Sequence, residues 1–286
     1  MKIASIDIGT NAIKSKIFKT TPTSIEFIEG VRSPIRLGSN VFKDGYLKES
    51  KLNELIKTLK SYQKKFEKNN IKMYEIVATS AFRDTQNSEE ARRYVENEIE
   101  HPIRIISGLE EAQLIRLHPK AQSKNQKVFV DVGGGSTEIY IYKNGQHIIQ
   151  SFQLGAVRGM FGKNEISEWK RLKKWLKKES KTETLIGLGG NIRSFLKVYK
   201  ADKMPTADFI SSAKKLKQLS LNKKIQKYDL ADDRADVIDE AIKIYIEIAK
   251  LLEVKNIKST KWGVSDSIAV KTFHELYSNK IKFSRS

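Results

Sequence analysis

Cysteine is absent from the 286 residues, which excludes disulfides, thiol nucleophiles and thiolate-held zinc. Histidine is scarce, and His101, His118, His147 and His274 show no ligand spacing, so they are assigned no chemistry. No apolar run is long enough to span a bilayer. The first residues, Met1-Lys2-Ile3-Ala4-Ser5-Ile6-Asp7, meet a charge too soon for a secretory signal. The expectation is a cytoplasmic protein with no membrane partner. Acidic residues are in deficit, 34 against 53 basic ones, which leaves a formal charge of +19. A field of that sign concentrates anions, so nucleic acid, anionic lipid and phosphorylated metabolites are all candidate partners. A lysine-rich surface with no such partner accounts for the number equally well. What is present, 39% hydrophobic and 30% charged residues, suits a folded chain with room for two ordinary domains.

The opening run Ile3 to Ile6 ends at Asp7 and a turn, Gly9-Thr10-Asn11, and a returning strand follows from Lys14 to Phe18. Ser24 to Ile28 supplies a third strand. Leu52, Leu55, Ile56, Leu59, Tyr62 and Phe66 recur at helical spacing. Strands are predicted at Ile76-Val77-Ala78 and Ile103 to Ile106, with a helix between them that Ser88 is placed to cap. The opening pattern then returns: Val128-Phe129-Val130 ends at Asp131, followed by Gly133-Gly134-Gly135-Ser136-Thr137 and a strand from Ile139 to Tyr142. Asn144-Gly145 is a hairpin signal. This internal repeat predicts two related domains, 1–120 and 121–286, joined by a polar linker at Lys120 to Lys127. Farther on come a lysine-rich helix around Trp169, Leu172 and Leu176, a strand and turn at Leu185 to Gly190, and a helix from near Arg234 to Leu252, expected to be the longest.

Binding phosphate through the backbone needs successive N–H groups pointing into one turn, which glycine permits. Three turns qualify: Gly9-Thr10-Asn11; Gly133, Gly134, Gly135, Ser136 and Thr137; and Gly189-Gly190-Asn191, which also opens a helix. Asp7 and Asp131 each stand where a strand leaves its sheet. Mg²⁺ accepts one or two carboxylates together with water and phosphate oxygens, so these two and Glu138 are candidate metal ligands. Each Asp can instead cap its own turn, and Glu138 can be a solvent-facing strand residue. Ser107-Gly108-Leu109-Glu110-Glu111-Ala112 follows a strand and begins a helix. Adjacent helical carboxylates point about 100° apart, so one can face a cleft and act as a base on water. Arg83, after Thr79-Ser80-Ala81-Phe82, can clamp a phosphate or serve as an ordinary ion-pair partner.

Taken together these segments resemble the exopolyphosphatase/guanosine-pentaphosphate phosphohydrolase (Ppx/GppA) family. The resemblance is carried by Asp7-Ile8-Gly9-Thr10-Asn11, Arg36-Leu37-Gly38, Ala78 to Arg83 with Asn87, Ser107 to Ala112 and Asp131 to Glu138. Leu154-Gly155-Ala156-Val157-Arg158, Gly187 to Gly190 and Arg234 to Ile238 complete it, in the family's order over nearly the whole chain. It implies an α/β fold of two ribonuclease-H-like domains, as in the actin/Hsp70/sugar-kinase superfamily, flanking a catalytic cleft. By position, Glu111 matches the base, Asp131 and Glu138 match acidic residues at Mg²⁺ and water, and Arg83 matches a phosphate-contacting arginine. The implied cofactor is Mg²⁺, or Mn²⁺ in its place, with no organic cofactor, and a homodimer is among the expected assemblies. The chain resembles the short, two-domain form. It departs from the pattern at Ala12, at Asn191 and at Gly263-Val264-Ser265-Asp266-Ser267, where an arginine is lost.

The implied activity is removal of terminal phosphate from inorganic polyphosphate, with guanosine pentaphosphate the alternative substrate. A sugar or acetate kinase of the same superfamily would share the repeated Asp and glycine turns, but Glu110-Glu111 and Thr79 to Arg83 speak against it. A non-catalytic polyanion or RNA binder rests on charge alone, and intact acids at positions 7, 111, 131 and 138 argue against it, so nucleic acid is set aside.

Overall fold

A computed structural model describes residues 1–121, 127–179 and 181–283. The chain divides into two units, Met1–Ser107 with Val264–Ser286, and Gly108–Gly263. In the first unit the strands are β1 (Lys2–Ile8), β2 (Ile13–Thr21), β3 (Ser24–Ser33), β4 (Tyr74–Ala78) and β5 (Arg104–Ile105). Its helices, in order, are α1 (Leu37–Asp44), α2 (Glu49–Lys68), α3 (Ser80–Arg83) and α4 (Ser88–Ile99). The sheet runs β3-β2-β1-β4-β5, with β1 antiparallel to β2 and parallel to β4. The predicted stripe of α2 is its buried face, from Leu52 to Phe66.

The second unit begins with α5 (Gly108–Leu114) and holds β6 (Lys127–Val132), β7 (Thr137–Lys143) and β8 (Gln146–Phe152). It continues with α6 (Ala156–Met160), α7 (Ile166–Leu176), β9 (Thr184–Leu188), α8 (Gly189–Val198) and β10 (Lys203–Pro205). Then come α9 (Thr206–Lys217), α10 (Leu221–Tyr228), α11 (Asp232–Ala235), α12 (Ile238–Leu251) and β11 (Asn256–Ser259). Its sheet order is β10-β11-β9-β6-β7-β8. Asn144 (φ 51°) and Gly145 (φ 78°) both take the left-handed conformation that a tight hairpin turn demands. The last helix, α13 (Val264–Phe283), returns to the first unit and packs on β1, β2 and β4.

This division differs from the expected one at both ends. Helix α5 packs on β7 and β8, so it travels with the second sheet, and α13 travels with the first. Ser5 Oγ donates to Ser265 O at 2.7 Å, and Lys16 Nζ meets Asp266 Oδ2 at 2.6 Å, which anchors the start of α13. The expected linker falls largely on residues 122–126, outside the described residues. Ser88 lies inside α4 instead of capping it; the residue before it, Asn87, spends its side chain on the backbone of Leu47, donating to O and accepting from N, both at 3.0 Å. The helix expected from Arg234 is two, α11 and α12, each with acids in its first turn, where they favour a helix start. At 14 residues α12 is shorter than α2 or α13, at 20 each. No helix among the described residues is long and apolar enough to cross a membrane.

Candidate active site

The repeat seen in the sequence is a repeat of register. In the first unit Asp7 on β1 stands opposite Lys14 on β2, with Arg32 on β3 beyond it and Val77 on β4 behind. In the second unit Asp131 on β6 stands opposite Glu138 on β7, with Ser151 on β8 beyond it and Leu188 on β9 behind. Residues directly opposite on antiparallel strands share one face, with Cβ atoms about 5 Å apart. The two rungs differ in make-up: the first sets an acid opposite a base, the second an acid opposite an acid. Asp7, almost wholly buried, is ion-paired, its Oδ2 3.0 Å from Lys14 Nζ. Glu138, equally buried, faces Asp131 and accepts from Ser151 Oγ at 2.9 Å. The buried phenol of Tyr245 registers that negative field. Burial first, then the charges of Asp131 and Glu138, push its pKa well above the ordinary tyrosine value.

The glycine turn between β6 and β7 is built backwards from its carbonyls. Gly133 O accepts from Ala156 N at 3.0 Å, and Gly134 O from the N–H groups of Val157 and Arg158 at 2.8 and 2.9 Å. Gly135 O accepts from Arg158 Nε at 2.7 Å. In a trans peptide the N–H points opposite to the C=O. With three successive carbonyls drawn towards α6, the N–H groups of Gly134, Gly135 and Ser136 turn to the other side, the arrangement of an anion-binding nest. Gly155 makes the close approach possible, since a Cβ there would lie 2.4 Å from Gly134 O. The first unit uses the same device. Thr10 O accepts from Gly38 N at 2.8 Å and Asn11 O from Arg36 N at 3.1 Å, which turns the N–H groups of Asn11 and Ala12 away. Gly9 lets that turn close, a Cβ there meeting Ala12 O at 2.9 Å.

The third turn opens α8. Gly189 has φ +81°, and a Cβ on it would lie 2.6 Å from Asp131 Oδ1, so the turn sits directly against the acidic rung. Asn191 does not reach outward with its side chain: Nδ2 donates to Val132 O at 2.8 Å and Oδ1 accepts from Arg234 Nη1 at 2.6 Å.

Several predicted side chains are occupied within their own unit. Thr137 Oγ1 donates to Leu154 O at 2.6 Å, and Thr10 and Ser80 share a hydrogen bond between their hydroxyls. Arg83 Nη1 donates to Ile106 O at 3.0 Å and Nε lies 3.4 Å from Asp84 Oδ1. Glu111 is buried and Glu110 half-buried, on a helix packed against the strand that carries Glu138. The second unit therefore brings together Glu111's helix, Asp131, Glu138 and two of the three turns; Asp7, the first turn and Arg83 belong to the other unit. Among the described residues no three His, Asp or Glu side chains form a ready-made metal cage. The residues missed as partners of the turns are Arg36, Gly38, Gly155, Arg158 and Arg234. A signal for the first four is present, because each half of the chain carries a Leu-Gly pair after its glycine turn, Leu37-Gly38 and Leu154-Gly155.

A sequence model of the Ppx/GppA phosphatase family matches residues 16–276. The chain belongs to that family, a family of hydrolases. A Ppx/GppA family member from Aquifex aeolicus is 25% identical, with a TM-score of 0.74 over 100% of this chain and 99% of that one. An exopolyphosphatase from Cytophaga hutchinsonii is 18% identical, with a TM-score of 0.85 over 96% of this chain and 98% of that one, a likeness of fold. A bifunctional 3-dehydroquinate synthase/phosphatase from Fusobacterium nucleatum is 32% identical over 73% of this chain. The chain spans 36% of that relative's length. The two mixed sheets with their helices make the fold α/β, as expected.

Proposed function

We propose that this protein is an exopolyphosphatase, releasing orthophosphate from the end of an inorganic polyphosphate chain. The observation that carries the reading is the carbonyl-backed turn at Gly133 to Ser136, closed by Gly133 N donating to Ser136 O, whose N–H groups at Gly134, Gly135 and Ser136 face away from α6 beside a two-carboxylate rung. Preorganised N–H donors of this kind stabilise charge on a transferring phosphoryl group at no reorganisation cost. Asp131 and Glu138 stand opposite each other on adjacent strands, and Mg²⁺ needs only one or two carboxylate ligands, so the pair fits it. When bound there it would supply Lewis-acid charge beside the phosphate oxygens. Asp7 belongs to the other unit, where it is paired with Lys14. Glu111 acts as the base that orients and deprotonates water; of the two adjacent carboxylates it is the buried one.

Family membership supports phosphoanhydride hydrolysis, and the charge of +19 supports a long anionic substrate over a short one. Guanosine pentaphosphate would use the same turns and acids. Phosphate release from long polyphosphate, tripolyphosphate, guanosine pentaphosphate and ATP, measured side by side with Mg²⁺, separates the substrates. The highest kcat/KM is expected on long polyphosphate. A higher value on guanosine pentaphosphate would replace the substrate, and no release from any of the four would end the reading. A cytoplasmic location accords with this substrate class.

A further inference from the structure

The Gly189-Gly190-Asn191 turn is held from beneath by a side chain that the reaction above leaves without a task. Arg234 on α11 is 9% exposed, and its Nη1 hydrogen-bonds to Asn191 Oδ1. A Cβ on Gly190 would lie 2.5 Å from Arg234 Nη2 and 2.8 Å from Cζ, so the guanidinium lies against the bare Cα of that glycine. On the neighbouring glycine, Gly189, the same space is filled by Asp131 Oδ1. The turn is thus clasped between an acid of the rung and a buried arginine. Asn191, 3% exposed, ties the clasp to β6 through Val132 O, one residue past Asp131. Both ends of its amide are spent, so it cannot swing outward without leaving buried polar atoms unmatched.

The geometry selects arginine. A planar guanidinium donates from one nitrogen while laying its face and its other nitrogen on the glycine, which a single ammonium cannot do. A side chain at 190 would have to push this guanidinium off the turn.

We infer that Arg234 is a positioning residue: through Asn191 and Gly190 it fixes the peptide planes of the third turn against Asp131, and so sets how tightly that turn holds a terminal phosphate. The inference rests on the phosphatase reading, in that it takes this turn to meet phosphate.

Its test compares Arg234→Lys, Arg234→Ala, Asn191→Ala and the double variant Arg234→Ala/Asn191→Ala with the wild type. Three quantities are measured: thermal midpoint, steady-state phosphate release, and equilibrium binding of inorganic tripolyphosphate with Mg²⁺. Arg234→Lys is expected to melt close to the wild type yet bind tripolyphosphate about tenfold more weakly, with KM rising and kcat held within about threefold. The double variant should lose no more than about twofold beyond Arg234→Ala, because both changes act through one contact. Methylguanidinium in solution should restore KM in Arg234→Ala and leave Asn191→Ala unmoved. If Arg234→Ala does not fold, Arg234→Lys and Asn191→Ala carry the comparison. Wild-type KM and tripolyphosphate affinity in Arg234→Lys, or fully additive losses in the double variant, overturn the inference while leaving the phosphatase reading standing. A wild type that binds tripolyphosphate but never cleaves a phosphoanhydride sinks that reading, and the affinities then judge Arg234 alone. A wild type that does not bind tripolyphosphate overturns both.

Discussion

In the proposed site, Asp131 and Glu138, opposite each other on neighbouring strands, hold Mg²⁺ between them and the phosphate. Asp131→Asn is therefore expected to raise the Mg²⁺ concentration needed for half-maximal activity and to lower activity at saturation. A metal titration that superimposes on the wild type would return Asp131 to a turn-capping role. Glu111→Gln keeps the shape of the side chain and removes its basicity. Turnover should fall by about a thousandfold or more, with tripolyphosphate binding preserved within about tenfold. Glu110→Gln, at the half-buried neighbour, should be mild, and reversed severities would identify Glu110 as the base. At this scale the placement of Asp7 and Asp131 at equivalent strand ends was legible in the sequence because a repeat marks them. The engagements of Thr137 with Leu154, Arg83 with Ile106 and Asn191 with Arg234 were not. Each partner lies 17 to 43 positions away along the chain, and nothing local to the residue announces it.

Strands and helices set the turns by taking up their carbonyls, so an element can be damaged without touching an acid. Gly155→Ala places a methyl 2.4 Å from Gly134 O, and either α6 or the turn must move. The expected result is a loss of about 1–3 kcal/mol of stability, together with weaker tripolyphosphate binding. Urea unfolding and calorimetry read the two separately. Unchanged binding in a destabilised variant would show that α6 moves and the turn does not. Tyr245 on α12 performs a comparable service for the strands. Its hydroxyl lies 3.2 Å from Val130 O on β6 and 3.1 Å from Leu188 O on β9, the last residues before Asp131 and Gly189. Tyr245→Phe should cost about 1–2 kcal/mol, the penalty of a missing buried hydrogen bond, and should lower activity at temperatures well below the melting transition. Periodicity showed α2, α7 and the stripe of α12 in the sequence. The break between α11 and α12 stayed hidden, since the apolar residues continue across it and only the acids on either side mark two starts.

For the molecule as a whole, the excess of cations makes a statement about long anions that can be checked with salt. If long polyphosphate is bound along many of them, its affinity should fall steeply with ionic strength, by a log–log slope of roughly 0.7–0.9 per phosphate contacted on the analogy of nucleic acids. Guanosine pentaphosphate should show a shallower slope. Lys174, Lys177 and Lys178 are exposed, whereas Lys173 is committed to Glu247 at 2.9 Å. Changing Lys174, Lys177 and Lys178 to Gln should flatten the slope for long chains and leave kcat at saturation unaltered. Equal slopes for long and short substrates would leave the lysines as plain surface. The division of the chain was half visible from the sequence: the repeat located both sheets, but the return of α13 depends on Ser265 and Asp266 finding Ser5 and Lys16 some 250 positions earlier. The two strand–turn–strand units place an aspartate at the same register position, Asp7 and Asp131. In one half the residue opposite the aspartate is a base, Lys14, and in the other it is an acid, Glu138. One backbone pattern thus serves two side-chain chemistries.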